Sequence, residues 1–265
     1  MYSYHIHSTF SDGKNTPEEI VTAAIDKGFA AVGFSDHGFT AYDLRYCMKD
    51  PVGYINEVER LKEKYKDRIE IYLGVEEDAF HPLRRADFDY TIGSCHYMCK
   101  DGEYLPIDSS YDHFKKCLAA YGQDHLVLAE SYYSSFCAYI RLRKPDVIGH
   151  FDLITKFDEL DESLFLQDRK YTEIAEKYLL EAIQSKCIFE VNTGAIARGL
   201  RKTVYPFENL LYILKKRGAD VILSSDSHSI ETLDFAFDDI RKYLKDIGFE
   251  RLKVLRDREF RDVEI

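Results

Sequence analysis

Short apolar runs alternate along the chain with longer segments that carry apolar residues at helical spacing. The runs have the length expected of buried strands and cover residues 3–7, 30–35, 69–75, 90–94, 147–149, 187–191 and 221–224. Helices are predicted at residues 16–27, 52–66, 109–143, 169–186, 206–217 and 231–246. The first helix begins at a capping box formed by Thr16 and Glu19, and it stops at Gly28. Strands that alternate with helices in this way predict a parallel sheet with helical crossovers.

Polar residues capable of binding metals follow nearly every predicted strand. An open, doubly wound sheet would gather such residues at only one crevice, whereas a barrel brings all strand ends to one mouth. The pattern therefore favours an α/β fold, a distorted seven-stranded (βα)7 TIM-like barrel with its metal site at the C-terminal ends of the strands. No linker, repeat or low-complexity run interrupts the sequence, so residues 1–265 are expected to form a single barrel domain. Residues 249–265 alternate charged and apolar side chains, which predicts a strand or an edge segment.

Composition narrows the classes of protein that the sequence can encode. The chain of 265 residues is 45% hydrophobic and 31% charged, which is typical of a globular protein that needs no disulfides. Its formal net charge of −11 argues against a nucleic-acid partner, because phosphate contacts require a basic face. We expect no membrane span, because no apolar run approaches ~18 residues, and no signal peptide. Six scattered cysteines without a CxxC pair indicate reduced thiols and a cytoplasmic protein.

Two pairs of candidate metal ligands share one spacing. His5 and His7 are two residues apart on the first predicted strand, and Asp226 and His228 are two apart after the last. Side chains at this spacing on a strand point to the same face, so each pair can bind one ion. Six of the nine histidines lie at the same end of the predicted sheet. The five further candidate ligands near strand ends are Asp12, His37, Glu76, His96 and His150.

These donor groups indicate the kind of metal and its chemistry. Imidazole and carboxylate together suit zinc, manganese or iron better than calcium or magnesium, and nine ligands predict two or three divalent ions. Three such ions, three carboxylates and a hydroxide leave a charge of about +2, which would attract a phosphate dianion. Because bound ions lower the pKa of water towards ~7, the pattern predicts a hydrolase that attacks a small phosphate ester with a metal-bound hydroxide. Cys95 and Cys99 could add thiolate ligands beside His96, but we favour buried apolar roles for them.

Seven motifs resemble those of the polymerase and histidinol phosphatase (PHP) family, in the family's order along nearly the whole chain. They are His5-Ile6-His7, Ser11-Asp12-Gly13, Ser35-Asp36-His37, Gly74-Val75-Glu76, Gly93-Ser94-Cys95-His96, Ile148-Gly149-His150 and Ser225-Asp226-Ser227-His228. Residues 93–97, 148–154 and 190–194 resemble the family's histidinol-phosphatase branch. The resemblance implies a distorted seven-stranded barrel and an enzyme of histidine biosynthesis, which cleaves L-histidinol phosphate to L-histidinol and phosphate.

The resemblance also implies how the ligands divide among the ions. One ion would bind His5, His7, Glu76 and Asp226. A second would share Glu76 and add His96 and His150, and a third would bind Asp12, His37 and His228. Some family members carry histidine near the Asp12 position, and an aspartate there would bind a harder ion or bind an ion more weakly.

The phosphate and the leaving group require further side chains. Arg198 lies just past the sixth predicted strand and is expected to bind two phosphate oxygens with its guanidinium group, while Arg201 and Lys202 are weaker candidates. Asp226 and His228 are expected to take part in catalysis, and the general acid is either His228 or a metal-bound water. Candidates for binding the amine and the imidazole of the leaving group are Tyr97, Tyr132, Tyr133, Glu130 and Asp152.

Four other interpretations stay open at this point. A phosphatase of the same family could act on another small phosphomonoester or on phosphotyrosine. The net charge of −11 opposes a nuclease or proofreading module. An amidohydrolase would bridge two ions with a modified lysine, where this sequence has Glu76, and a non-catalytic metal-binding protein would lack some of the nine ligands. A small phosphate ester is the expected partner, and the sequence assigns no oligomeric state.

Overall fold

The computed structural model describes residues 1–83, 87–160 and 164–265. Its strands are β1 (Tyr2–Ser3), β2 (Ala31–Phe34), β3 (Glu70–Asp78), β4 (Tyr90–Ser94), β5 (Tyr97–Lys100), β6 (Glu103–Pro106), β7 (Val147–Ile148), β8 (Ile188–Asn192), β9 (Val221–Ser224), β10 (Arg251–Arg256) and β11 (Glu259–Glu264). Its α-helices are α1 (Pro17–Asp26), α2 (Pro51–Tyr65), α3 (Tyr111–Ala120), α4 (His125–Arg143), α5 (Arg169–Ile183), α6 (Gly194–Ala197), α7 (Glu208–Arg217) and α8 (Phe237–Ile247). Short 3₁₀ turns cover Leu153–Thr155, Asp158–Leu160 and Ile230–Thr232.

Seven parallel strands form a nearly closed barrel in the order β1-β2-β3-β4-β7-β8-β9. Each strand pairs in parallel with its neighbours, and helices occupy most of the connections between successive strands. The predicted distorted (βα)7 TIM-like barrel is therefore confirmed. In a barrel of this kind the carboxyl ends of the strands surround one mouth, which is where functional side chains collect.

The barrel closes at a seam between its first and last strands. Just beyond the ends of β1 and β9, Ile6 and Ser227 form a single parallel bridge. The His7 amide donates to the Ser227 carbonyl at 2.8 Å, and the Ser227 amide donates to the His5 carbonyl at 3.1 Å. Residues from opposite ends of the chain are thereby held side by side at the mouth.

The Tyr90 side chain occupies the space between neighbouring strands at the N-terminal end of β4. Its single hydroxyl proton is shared between the Tyr4 carbonyl at 2.5 Å and the Phe34 carbonyl at 3.0 Å. Two glycines leave room for the ring, because a Cβ at Gly33 would lie 2.4 Å from the Tyr90 hydroxyl oxygen and a Cβ at Gly74 would lie 2.2 Å from its Cζ. Tyr90 thus links the first two strands from inside the sheet.

A C-terminal hairpin covers the N-terminal end of the barrel. Strands β10 and β11 pair antiparallel, and Val254 and Leu255 belong to the same buried apolar cluster as Tyr4 and Tyr90. The Tyr4 hydroxyl donates to the Leu255 carbonyl at 2.7 Å. The strand predicted within residues 249–265 is confirmed, and its partner strand makes it a hairpin.

Four segments differ from their predictions. The first strand covers Tyr2–Ser3 rather than residues 3–7, so His5 and His7 follow it. The helix predicted at 109–143 is two helices, because the connection between them turns at Gly122, which has a φ of 74°. Residues 97–106, for which the pattern predicts no strand, form the antiparallel hairpin β5–β6. The last helix begins at Phe237 rather than at residue 231, after Ala236 with a φ of 59°. Within the described ranges, no helix is long and apolar enough to cross a bilayer.

Replacing Tyr90 by phenylalanine should lower the free energy of unfolding by about 1–3 kcal/mol, because two buried carbonyls would lose a hydrogen-bond donor. Urea denaturation followed by circular dichroism measures the change. Tyr212→Phe is the matched control, since that side chain is 49% exposed, and it should leave the unfolding free energy unchanged. Equal stability of the Tyr90→Phe variant and the unmutated protein would contradict this role.

Candidate metal centre

The nine predicted ligands converge at the mouth of the barrel. Their positions are His5, His7 and Asp12 after β1, His37 after β2, Glu76 in β3, His96 after β4, His150 after β7, and Asp226 and His228 after β9. All of them are buried except Asp12 and His228. The single bridge at the seam lies between the two pairs that have i, i+2 spacing, so it sets the distance between them.

Four of the buried groups have the spacing of a tetrahedral site. The Nε2 atom of His5 lies 3.4 Å from Glu76 Oε2 and 3.7 Å from Asp226 Oδ1. The Nε2 atom of His7 lies 3.6 Å from Glu76 Oε2 and 3.3 Å from Asp226 Oδ1. Ligands bonded to zinc at ordinary lengths in a tetrahedron stand about 3.3–3.5 Å apart, so these four imidazole–carboxylate distances are close to those between ligands of one ion.

The second oxygen of Glu76 faces a different set of histidines. Glu76 Oε1 lies 3.3 Å from His96 Nε2 and 3.0 Å from His150 Nε2. Its hydrogen bond from the Ser94 hydroxyl, at 2.6 Å, holds the carboxylate in this orientation. Glu76 can therefore bridge two ions, as the division of ligands inferred from the family resemblance requires.

A third group lies closer to solvent. Asp12 Oδ1 lies 3.4 Å from His228 Nε2, 3.7 Å from His37 Nε2 and 3.8 Å from His7 Nδ1. The Nδ1 atom of His37 also lies 2.8 Å from Glu76 Oε2, so this histidine connects the third group to the first. The Asp12 side chain is 34% exposed, which makes this group the most hydrated of the three.

Several of the buried donor atoms have no hydrogen-bond partner within the described residues. They include His5 Nε2 and both ring nitrogens of His7. A buried polar atom without a partner costs about 1–3 kcal/mol, so three of them in one cluster are unfavourable unless another group satisfies them. Divalent cations coordinate imidazole nitrogen and carboxylate oxygen directly, and the cluster therefore fits such ions.

Electrostatics in the cluster also favour cation binding. Burial alone would raise the pKa of Glu76, but neighbouring imidazoles, first among them His96, hold that pKa well below its usual value. Burial, together with the imidazoles of His228 and His37, lowers the pKa of His7 to about 3 and keeps it neutral. Burial lowers the pKa of His5 too, but adjacent carboxylates outweigh burial and raise it well above its ordinary value. A cation that binds at His5 must therefore displace a proton.

Glu190 is a functional candidate that the sequence reasoning missed. Its side chain is fully buried in β8, and Glu190 Oε1 lies 2.5 Å from His5 Nδ1. Its other oxygen accepts from the His150 amide at 2.8 Å and from the Asn192 side-chain amide at 3.0 Å. A carboxylate behind a ligating histidine fixes the ring orientation and the tautomer. The sequence does contain a signal for Glu190, because a charged residue stands within the apolar run Ile188–Asn192, two positions before the polar Asn192.

A cavity of about 740 Å³ opens above the ligands. Arg198 lines it, as the sequence predicts, and donates from Nη2 to Asp226 Oδ2 at 2.8 Å and from Nη1 to the Asp226 carbonyl at 3.2 Å. Tyr97 also lines the cavity, and its hydroxyl donates to Asp43 Oδ2 at 2.8 Å. The cavity thus places the Arg198 guanidinium and the Tyr97 ring beside the metal ligands.

Most of the weaker candidates for contacting the substrate are absent from the cavity lining, so the structure gives no support for those predictions. Arg201 is buried and donates to Thr155 Oγ1 at 2.7 Å, while Glu130 accepts from Lys177 on the outer surface at 2.6 Å. The candidates absent from the cavity lining are Tyr132, Tyr133, Glu130, Asp152, Arg201 and Lys202.

The two cysteines beside His96 do not join the ligand clusters of the described residues. Cys95 is fully buried and donates to the Tyr97 carbonyl at 3.4 Å. Burial raises the pKa of the Cys95 thiol well above its ordinary value, which opposes a metal thiolate. Cys99 is partly buried on β5. The preferred apolar role is confirmed for Cys95.

Comparison with known proteins gives consistent results. The PHP domain family matches residues 3–194. A Schizosaccharomyces pombe protein named "Probable histidinol-phosphatase" is 29% identical over 256 residues, which cover 89% of this chain and 82% of that protein. The Bacillus subtilis protein named histidinol-phosphatase is 27% identical over 264 residues, covering 88% of this chain and 96% of that protein.

A solved structure shows the same fold. The crystal structure of histidinol phosphate phosphatase from Lactococcus lactis subsp. lactis, complexed with zinc, L-histidinol and phosphate, matches with a TM-score of 0.73. The match has 22% sequence identity and covers 98% of each chain. It supports the barrel over nearly the full length, including the C-terminal hairpin region.

Replacing Glu190 by glutamine should weaken zinc binding by about 10- to 100-fold, because the His5 ring would lose the carboxylate that orients it. Competition with a chromogenic zinc chelator measures the affinity. The matched control is Glu130→Gln, the same change on the outer surface, which should leave the affinity unchanged. Melting of the metal-free proteins separates a loss of fold from a loss of affinity. Equal zinc affinity in the Glu190→Gln variant and the unmutated protein would exclude this role.

Proposed function

Because the chain belongs to the PHP domain family, we propose that it hydrolyses L-histidinol phosphate to L-histidinol and inorganic phosphate. It is a phosphoric monoester hydrolase, a histidinol-phosphatase of histidine biosynthesis. The observation that carries this proposal is the cluster of histidines and carboxylates around Glu76, which opens into a cavity that also holds Arg198. The names of the S. pombe and B. subtilis relatives support the same activity.

We propose that the cluster binds two or three divalent ions, with zinc favoured by the Lactococcus complex and manganese or iron compatible with the same donors. In this assignment Glu76 bridges the first two ions. The ligands of the first ion are His5, His7, Glu76 and Asp226, those of the second are Glu76, His96 and His150, and those of the third are Asp12, His37 and His228. The distances within each group support this division.

The size of the cavity supports a small substrate. A volume of about 740 Å³ lies within the range of sites for small molecules and cofactors. The C-terminal hairpin covers the opposite end of the barrel, and the cavity opens at the mouth beside the ligands. We further propose that residues 1–265 act as one catalytic unit, since the first and last barrel strands share the site.

The chemistry divides between the ions and the side chains. Bound divalent ions stabilise charge on the phosphoryl oxygens and lower the pKa of water that serves as the nucleophile. Arg198 presents its guanidinium group to the phosphoryl oxygens, and its hydrogen bonds to Asp226 fix it beside the first ligand group. The leaving alkoxide takes its proton from a metal-bound water or, when no third ion occupies His228, from the His228 imidazole, whose side chain is 26% exposed.

The direct test is phosphate release from L-histidinol phosphate beside a panel of other phosphomonoesters, including phosphotyrosine, with zinc- or manganese-loaded enzyme. A preference of ~10³-fold or more in kcat/KM, about 4 kcal/mol of discrimination in the transition state, is the expected result. Comparable rates on all the esters would contradict the assignment of the substrate. No phosphate release from any ester would contradict the assignment of the reaction.

Replacing Arg198 by alanine should raise KM for the ester and weaken inhibition by inorganic phosphate by about 10- to 100-fold, because a charge-assisted hydrogen bond to the phosphoryl group is lost. Steady-state kinetics with phosphate as a competitive inhibitor measure both quantities. Arg251→Ala, at the opposite end of the barrel, is the control with unchanged kinetics. An unaltered KM in the Arg198→Ala variant would remove Arg198 from the phosphate site.

A further inference from the structure

Four carboxylates line the cavity, and they are not equivalent. Asp12 and Asp226 lie within the ligand clusters. Both oxygens of Asp43 are already engaged, because Oδ1 accepts from Arg45 Nε at 2.9 Å and Oδ2 accepts from the Tyr97 hydroxyl at 2.8 Å. These three carboxylates therefore have little capacity to bind a cationic group of a substrate.

Asp108 is the fourth carboxylate, and one of its oxygens is open. Asp108 Oδ2 accepts from Lys156 Nζ at 3.1 Å. Within the part of the chain that the structure describes, Asp108 Oδ1 has no hydrogen-bond partner, and the side chain is 19% exposed in the cavity wall. A carboxylate can accept several hydrogen bonds, so Oδ1 is available to a donor on a ligand.

The backbone fixes Asp108 and Lys156 beside the second ligand group. The amide of Ile107, the residue before Asp108, donates to the His96 carbonyl at 3.0 Å. On the other side, the 3₁₀ turn begins with the Leu153 amide donating to the His150 carbonyl at 2.9 Å, and the Lys156 amide continues it. Each member of this pair is thus attached to the main chain of a proposed metal ligand.

We propose that Asp108 binds the ammonium group of the leaving amino alcohol and so selects amine-bearing phosphate esters. This inference rests on the proposed function, in which the phosphate occupies the metal ligands and Arg198. The amine of L-histidinol phosphate is separated from the ester oxygen by two carbon atoms, so the ammonium group must lie close to the phosphate site. Asp108 Oδ1 is the open carboxylate oxygen beside that site, and an ammonium–carboxylate hydrogen bond is charge-assisted.

Lys156 supports this role by keeping Asp108 charged. Burial alone would raise the pKa of Asp108, but the Lys156 ammonium lowers it below its ordinary value. The lysine uses only Oδ2, so the pair retains an oxygen for the ligand. In the alternative role, Asp108 only positions Lys156 to bind the phosphate. The test below distinguishes the two roles, because they predict different results.

The test compares two esters that differ only in the amine, L-histidinol phosphate and 3-(imidazol-4-yl)propyl phosphate. In the Asp108→Asn variant, kcat/KM for the amine-bearing ester should fall by about 10- to 100-fold, the effect of losing a hydrogen bond to a charged group. The value for the amine-free ester and inhibition by inorganic phosphate should not change. Asp238→Asn, the same substitution at a side chain that is 98% exposed, is the control with unchanged kinetics.

Several results would overturn the inference. Equal losses on both esters with weaker phosphate inhibition would assign Asp108 to the phosphate through Lys156. An unchanged preference for the amine in the variant would remove Asp108 from recognition. Should the variant not fold, product inhibition of the unmutated enzyme decides, because L-histidinol must inhibit more strongly than 3-(imidazol-4-yl)propan-1-ol. Failure of the unmutated enzyme to hydrolyse L-histidinol phosphate would instead contradict the proposed function.

Discussion

The site depends on one buried carboxylate that serves several strands at once. Glu76 is 1% exposed, and its Oε2 atom lies 3.4 Å from His5 and 2.8 Å from His37. Its Oε1 atom lies 3.3 Å from His96 and 3.0 Å from His150. A charge buried in this way is costly unless cations or donors surround it. Because each of these imidazoles comes from a different strand, one carboxylate draws the ends of the barrel strands towards a common centre.

The sequence predicted the strands and the ligands because both have local signals. Strand ends are marked by changes in polarity, and the spacing of His5 and His7 places two side chains on one face. The direction in which a side chain points depends on packing between distant segments, and no local sequence pattern predicts it. Glu130 and Tyr133 lie on the same helix, yet Glu130 faces solvent and Tyr133 packs in the core. The hairpin β5–β6 and the role of Glu190 likewise arise from contacts between distant segments.

Asp36, which precedes His37 in the motif Ser35-Asp36-His37, holds a loop at the mouth of the barrel in place. Asp36 is fully buried, and its Oδ1 atom accepts from the amides of Ser8 and Ser11 at 2.8 and 3.0 Å. These bonds fix the loop that carries Asp12, so a residue without a place among the ligands still determines where a ligand lies. At the opposite end of the barrel, Tyr90 and the C-terminal hairpin contribute stability. The candidate metal ligands and the contacts that stabilise the fold therefore lie at opposite ends of the barrel strands.

The seam of the barrel relates the site to the synthesis of the chain. The hydroxyls of Ser3 and Ser225 meet there at 3.1 Å although they are 222 positions apart in sequence. Closing so long a loop is a slow, entropically costly step in folding. The histidine pair at the start of the chain leaves the ribosome early, but Asp226 and His228, which lie beside it across the seam, are translated late. The cluster of candidate ligands is therefore assembled only when nearly the whole polypeptide has been made.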